Sequence, residues 1–188
     1  MDPYAVAIHE AGHAVLSWVL DDDLDLFCVR ITVEPDELDT AGLVVLPDPP
    51  DDLDLADTFS AEDRHTGFLL RRITVSAAGL EAAKRLGVNQ EPGSGLNRYG
   101  GYICPEPESD WDLMVRLSLF VAKNDSQRAG LFMQLGIGQA ALLVERHWPA
   151  IEEVARALVE HHTIDPSVVV RAVRAHAPAD GYGATIVA

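Results

Sequence analysis

The sequence predicts a mainly helical fold of the α+β kind, a helical bundle with a small β-hairpin beside its first helix. Three observations carry this. Apolar residues recur at helical spacing through much of the chain, two short strand-like runs lie close together near the front, and Pro, Gly and Asp punctuate the boundaries. The 188 residues are enough for one core and too few to suggest two. One domain is therefore expected over 1–177, with the ending "PADGYGATIVA" forming a loose tail over 178–188.

Asp2-Pro3 starts the first helix: Asp accepts orphan amide hydrogen bonds at the N-cap, and Pro fits the first helical position. The helix runs to about Leu20, with Ile8, Val15, Leu16 and Val19 forming much of an apolar face, and "DDDLD" ends it. "FCVRITVEP" alternates as a strand should, "AGLVVLP" reads as a second strand, and the polar "DELDT" between them makes a hairpin. "PDPPDDLDLAD" at 47–57 is a loop. A second helix covers roughly 61–86 and closes at Gly87. A Gly- and Pro-rich connection, "NQEPGSGLNRYGGYICPEPE", follows.

Three more helices are predicted at about 110–123, 126–146 and 149–162. In the last, Ile151, Val154, Ala155, Leu158 and Val159 form a core-facing stripe. Asp165-Pro166 starts a final short helix bearing Val169, Ala172 and Val173.

Composition narrows the function classes. A net charge of −16 repels phosphate backbones, so nucleic acid is not an expected partner. Cys28 and Cys104 are far apart and make no disulfide framework, which suits a reducing interior. The first residues lack a basic leader region, and charged or polar groups interrupt every apolar run. A cytoplasmic protein without a membrane span is the expectation.

The chemistry-bearing stretch is His9-Glu10-Ala11-Gly12-His13. Two histidines four apart on a helix rise by about 6 Å and differ by roughly 40° around the axis, so both rings leave one face. That spacing lets two imidazole nitrogens reach one Zn²⁺ at about 2.0–2.1 Å. Glu10 is offset from both, which leaves it to accept a proton from the water the cation activates. Ala11 and Gly12 are small enough to let another element approach. A random chain of this composition contains about 0.016 such patterns. A catalytic zinc usually has a third protein ligand. The spacing alone leaves His65, His147, His161, His162, His176 and many acids open for that role.

"HEAGHAV" in this setting resembles the peptidase domain of the FtsH family of zinc metallopeptidases, the M41 group. "VRITVEP…AGLVVLP" resembles that family's hairpin after the active-site helix, and "SAAGLEAAKRLG" its glycine- and alanine-rich helix. "SDWDLMVRLSLFVA" resembles the segment that supplies the third ligand. "HWPAIEEVARALVE" and "TIDPSVVVRAV" resemble the closing helices, so the likeness spans most of residues 4–175.

The resemblance implies a zincin-like fold, Zn²⁺ held by His9, His13 and Asp112, and Glu10 as the catalytic base. Asp110 competes for the third position, because Ser109-x-x-Asp112 also reads as a helix cap. The family's ATP-driven unfoldase has no counterpart here: "GSGLNRYGG" lacks the lysine of a phosphate loop. The peptidase unit alone is expected, hydrolysing peptide bonds in unfolded or exposed polypeptide segments without ATP.

A peptide substrate would add as a strand along Gly42, Leu43 and Val44. His65, Tyr99 and Tyr102 are candidates for an oxyanion donor. The alternative function is a non-catalytic or regulatory zinc-binding module that binds a partner protein. The sequence leaves open whether the chain forms a homo-oligomer or works with a separate partner.

Overall fold

The computed structural model describes residues 2–20, 31–32, 43–44, 50–55, 57, 62–88 and 109–177. The predicted tail at 178–188, Gly42, Tyr99, Tyr102 and the 89–108 connection lie outside them. The described part is mainly helical. Its helices are α1 (Pro3–Leu20), α2 (Thr66–Arg85), α3 (Asp110–Val121), α4 (Ser126–Arg146), α5 (Trp148–His161) and α6 (Pro166–Ala175).

The helix starts follow the local chemistry read from the sequence. The Tyr4 amide donates to Asp2 Oδ1 at 3.0 Å, and the Ser167 amide donates to Asp165 Oδ1 at 2.8 Å. Asp125 caps α4 by accepting from the Gln127 and Arg128 amides. At the end of α2, Gly87 takes φ +86°, while its amide donates to Lys84 and the Val88 amide to Ala83. That pattern is a Schellman stop, which favours glycine at its left-handed position.

α1 is the centre of the bundle. The sequence predicts one apolar face, but the structure buries this helix on nearly every side. Ala5, Ala7, Ala11, Gly12 and Ala14 are the reason, because short side chains let neighbours close in from several directions. α2, α5 and α6 pack directly on α1, and α3 and α4 cover α2. One core joins them: Ile8, Val15 and Leu16 of α1 meet Leu69 and Ile73 of α2, Met114, Leu117 and Phe120 of α3, and Ile151 and Leu158 of α5.

The α5 stripe is buried at Ile151, Val154, Ala155 and Leu158, while Val159 is exposed, contrary to the pattern reading. On α6, Val169, Ala172 and Val173 are buried as predicted.

The two predicted strands pair antiparallel, β1 (Ile31–Thr32) with β2 (Leu43–Val44), in the register Ile31 to Val44 and Thr32 to Leu43. A third strand, β3 (Thr163–Ile164), was not foreseen. It pairs antiparallel with the other side of β1, giving the order β2-β1-β3. It is two residues long, with His162 at φ +61° before it and α6 two residues after it, too short for any periodicity to register. β2 stands at an edge of the sheet and contacts α1.

The 47–57 segment is anchored where it is described. Leu53 is buried, Arg116 donates to the Leu55 carbonyl, and Asp52 pairs with Arg64 and His65 at the 3-10 turn Asp63–His65 that leads into α2. Among the described residues, no helix is long and apolar enough to cross a membrane.

Candidate metal centre

His9 and His13 stand one turn apart on α1 with ring centroids 4.7 Å apart and planes at 83°. The four-residue spacing alone produces this convergence. The third member arrives from about a hundred residues downstream. Ser109 caps α3, and Asp110, the first residue of that helix, directs its carboxylate to both imidazoles. A carboxylate at a helix N-terminus also suits the dipole there.

His9 Nε2 lies 2.8 Å from Asp110 Oδ2, His13 Nε2 lies 3.2 Å from the same oxygen, and the two Nε2 atoms are 3.1 Å apart. Four ligands placed tetrahedrally at about 2.0–2.1 Å from a zinc ion stand about 3.3 Å from one another. The observed triangle has nearly that edge. Two imidazole nitrogens and one carboxylate oxygen brought this close form a nitrogen–oxygen donor set of the kind a divalent cation takes up. These three side chains could hold a metal ion.

Two features of α2 prepare the place. The Val75 carbonyl accepts from His13 Nδ1 at 2.7 Å, which turns Nε2 toward the cluster. Gly79 supplies room: a Cβ there would stand 2.4 Å from His13 Nε2 and 2.7 Å from His9 Nε2. Gly12 brings the two helices together, since a Cβ on it would meet the Ala78 carbonyl oxygen at 2.8 Å. The small residues of α1 thus do what the sequence implies, while the roles of Gly79 and Val75 were not foreseen. The signal for Gly79 was a glycine inside an otherwise strong helix former, "SAAGLEAAKRL".

Asp112, expected as the third ligand, is engaged elsewhere. Its amide donates to Ser109 Oγ at 3.2 Å, and that hydroxyl donates to Asp112 Oδ2 at 2.8 Å. The carboxylate is therefore part of the α3 cap, and Asp110 takes the place beside the histidines.

Glu10 is 8% exposed. Burial pushes its carboxyl pKa above the ordinary 4.5; His13 and His9 pull it down in part, and Asp110 adds to the rise. For His13, burial alone would lower the pKa, but the Asp110 carboxylate, with Glu10 and the Val75 carbonyl, outweighs it and pushes the value up to about 9. Burial likewise opposes ionisation of Asp110, yet His13 and His9 hold its carboxyl far below the usual carboxylate range.

His65, considered as an oxyanion donor, lies buried in the turn before α2. Its Nδ1 accepts from the Glu62 amide at 3.1 Å and its Nε2 lies 3.2 Å from Asp52 Oδ1. His176 pairs with Glu153 at 2.8 Å, away from the cluster. His147 is buried at the junction of α4 and α5.

The chain matches no protein-family model and no curated protein with which it was compared.

Proposed function

We propose that this protein is a zinc-dependent peptidase of the HExxH type, cutting peptide bonds in unfolded or exposed polypeptide segments without a nucleotide requirement. The observation that carries the reading is the convergence of His9, His13 and Asp110 within 3.2 Å of one another, beside the buried carboxyl of Glu10. Zinc held by those three side chains would polarise the scissile carbonyl and make water acidic enough to attack near neutral pH.

The remaining chemistry falls to the chain's own residues. Glu10 takes the proton from the attacking water as its oxygen adds to the carbonyl carbon, then passes that proton to the departing amine as the C–N bond breaks. A carboxyl whose pKa burial has raised returns a proton more readily than an exposed one, which suits this double role. Val75 fixes the His13 ring, and Gly79 keeps the ligand atoms accessible. Substrate would lie as an added strand along Leu43 and Val44, because β2 is an edge of the sheet and contacts the helix that carries Glu10.

The test is cleavage of unfolded casein and a peptide library by zinc-loaded protein, with and without chelator, beside Glu10→Gln. Chelator-sensitive cleavage that zinc restores and Glu10→Gln abolishes is the expected result. Cleavage surviving in Glu10→Gln would remove the assigned base. Stoichiometric zinc with no cleavage of any substrate would favour the regulatory module instead.

A further inference from the structure

Among the described residues, α4 buries one side and exposes apolar side chains on the other. Ala129, Gly136, Ala140 and Val144 are its buried residues, and α4 packs on α2 and α3. Across the helix, Leu131, Leu135 and Leu142 are 66%, 55% and 74% exposed. Gly138 falls in the same row, with open space where a Cβ would stand. The row begins at Arg128 and ends at Glu145, advancing by alternate steps of three and four residues, which is the seam spacing of a coiled coil. No charged residue lies between those two ends, in a chain whose net charge is −16.

Single exposed leucines are ordinary; the order of this row is not. Turned end over end about the point between Gly136 and Ile137, the row falls on itself. Leu131 meets Leu142, Leu135 meets Gly138, and Arg128 meets Glu145. A two-fold interface requires this self-complementarity. Leucine opposite glycine sets a knob against a hole, and the end charges attract. Parallel pairing would instead set Arg128 against Arg128, Glu145 against Glu145, and glycine against glycine. Glu145 also pairs with Arg85 of α2, yet its side chain remains 71% exposed and can accept a second cation.

We infer that α4 is the interface of a homodimer, in which two copies of this chain pair their α4 helices antiparallel through Leu131, Leu135, Gly138 and Leu142, with Arg128 against Glu145 at each end. One helix pair is a small interface, below about 1,200 Å² in all, so dissociation in the micromolar range is expected rather than a permanent dimer.

The full chain is examined by sedimentation velocity from about 1 to about 200 µM, a range that brackets such affinities. A monomer–dimer equilibrium is expected, and Leu135→Glu should weaken it at least about tenfold by burying like charges near the axis, with far-UV circular dichroism unchanged. A chain that stays monomeric throughout, whether another segment covers α4 or a different protein binds it, overturns the proposal. So does a dimer that Leu135→Glu leaves intact. Register is read by mixing Leu131→Cys with Leu142→Cys chains, oxidising, and mapping the bridges by mass spectrometry. Bridges between positions 131 and 142 in the mixture are expected; bridges joining 131 to 131 or 142 to 142 would disprove the antiparallel arrangement.

Discussion

At position 79 a methyl group in place of a hydrogen would stand inside contact distance of both imidazoles. Gly79→Ala is therefore expected to lower zinc affinity by roughly 10- to 100-fold, the range typical of damage to a ligand's support. Competition with a chromophoric chelator measures it, and unchanged affinity would count against the triangle described. The two aspartates separate in the same assay. Asp110→Asn should lose most of the affinity, whereas Asp112→Asn should leave it nearly intact and cost about 1 kcal/mol of stability through the weakened cap. The sequence exposes both histidines and Glu10 through spacing alone. The resemblance puts Asp112 ahead of Asp110 even with the Ser109 cap in view, and only the fold brings the Asp110 carboxylate to the imidazoles. Glu10 carries a further expectation. Its folded pKa lies above the unfolded value, so its contribution to stability is present in full below pH 4.5 and is lost as pH rises through the folded value. Glu10→Gln should consequently melt higher than the parent at neutral pH when both are metal-free, as scanning calorimetry would show.

The crossing of α1 and α2 depends on Gly12, where a Cβ would meet Ala78 oxygen at 2.8 Å and Ala82 Cβ at 3.0 Å. Gly12→Ala should destabilise the fold by about 1–3 kcal/mol through overpacking, read from urea unfolding. The junction of α1 with α3 is electrostatic, and its pH dependence follows from two opposed shifts. His13, raised from 6.5 to about 9, stabilises the metal-free fold fully below pH 6.5 and ceases to as pH climbs through 9. Asp110 is depressed, so its contribution is present above pH 3.8 and disappears as pH falls. Melting temperature in the metal-free state should therefore fall below pH 3.8 through Asp110 and fall again as pH rises from 6.5 through about 9 through His13, with Glu10 adding to the loss above pH 4.5. Helix boundaries of this molecule were legible because they rest on local chemistry: Asp2-Pro3, Asp165-Pro166 and Gly87 act within one turn of chain. β3 was not, because its pairing with β1 is set by where α5 and α6 place two residues. Val159 continues the α5 pattern in sequence yet is exposed, since periodicity tells which side a residue shares and not how far the neighbours reach.

For the molecule as a whole, an ion bound at the proposed centre would be linked to folding in one equilibrium. Zinc at a hundred times its dissociation constant should add about 2.7 kcal/mol to the stability, and a chelator should remove it. Thermal melts of the parent and Asp110→Asn with and without zinc check this, since the variant should show little of the gain. His13 and Asp110 are far apart in sequence, so an ion held at the proposed centre would also act as a clasp across more than half of the chain. On the proposed reading this carries a safeguard. An enzyme that cuts loose polypeptide is surrounded by candidates of its own kind whenever copies of it begin to unravel. A copy that opens enough to be cut has already drawn its carboxylate away from its imidazoles, and so has laid down its own blade before it can turn on its neighbours.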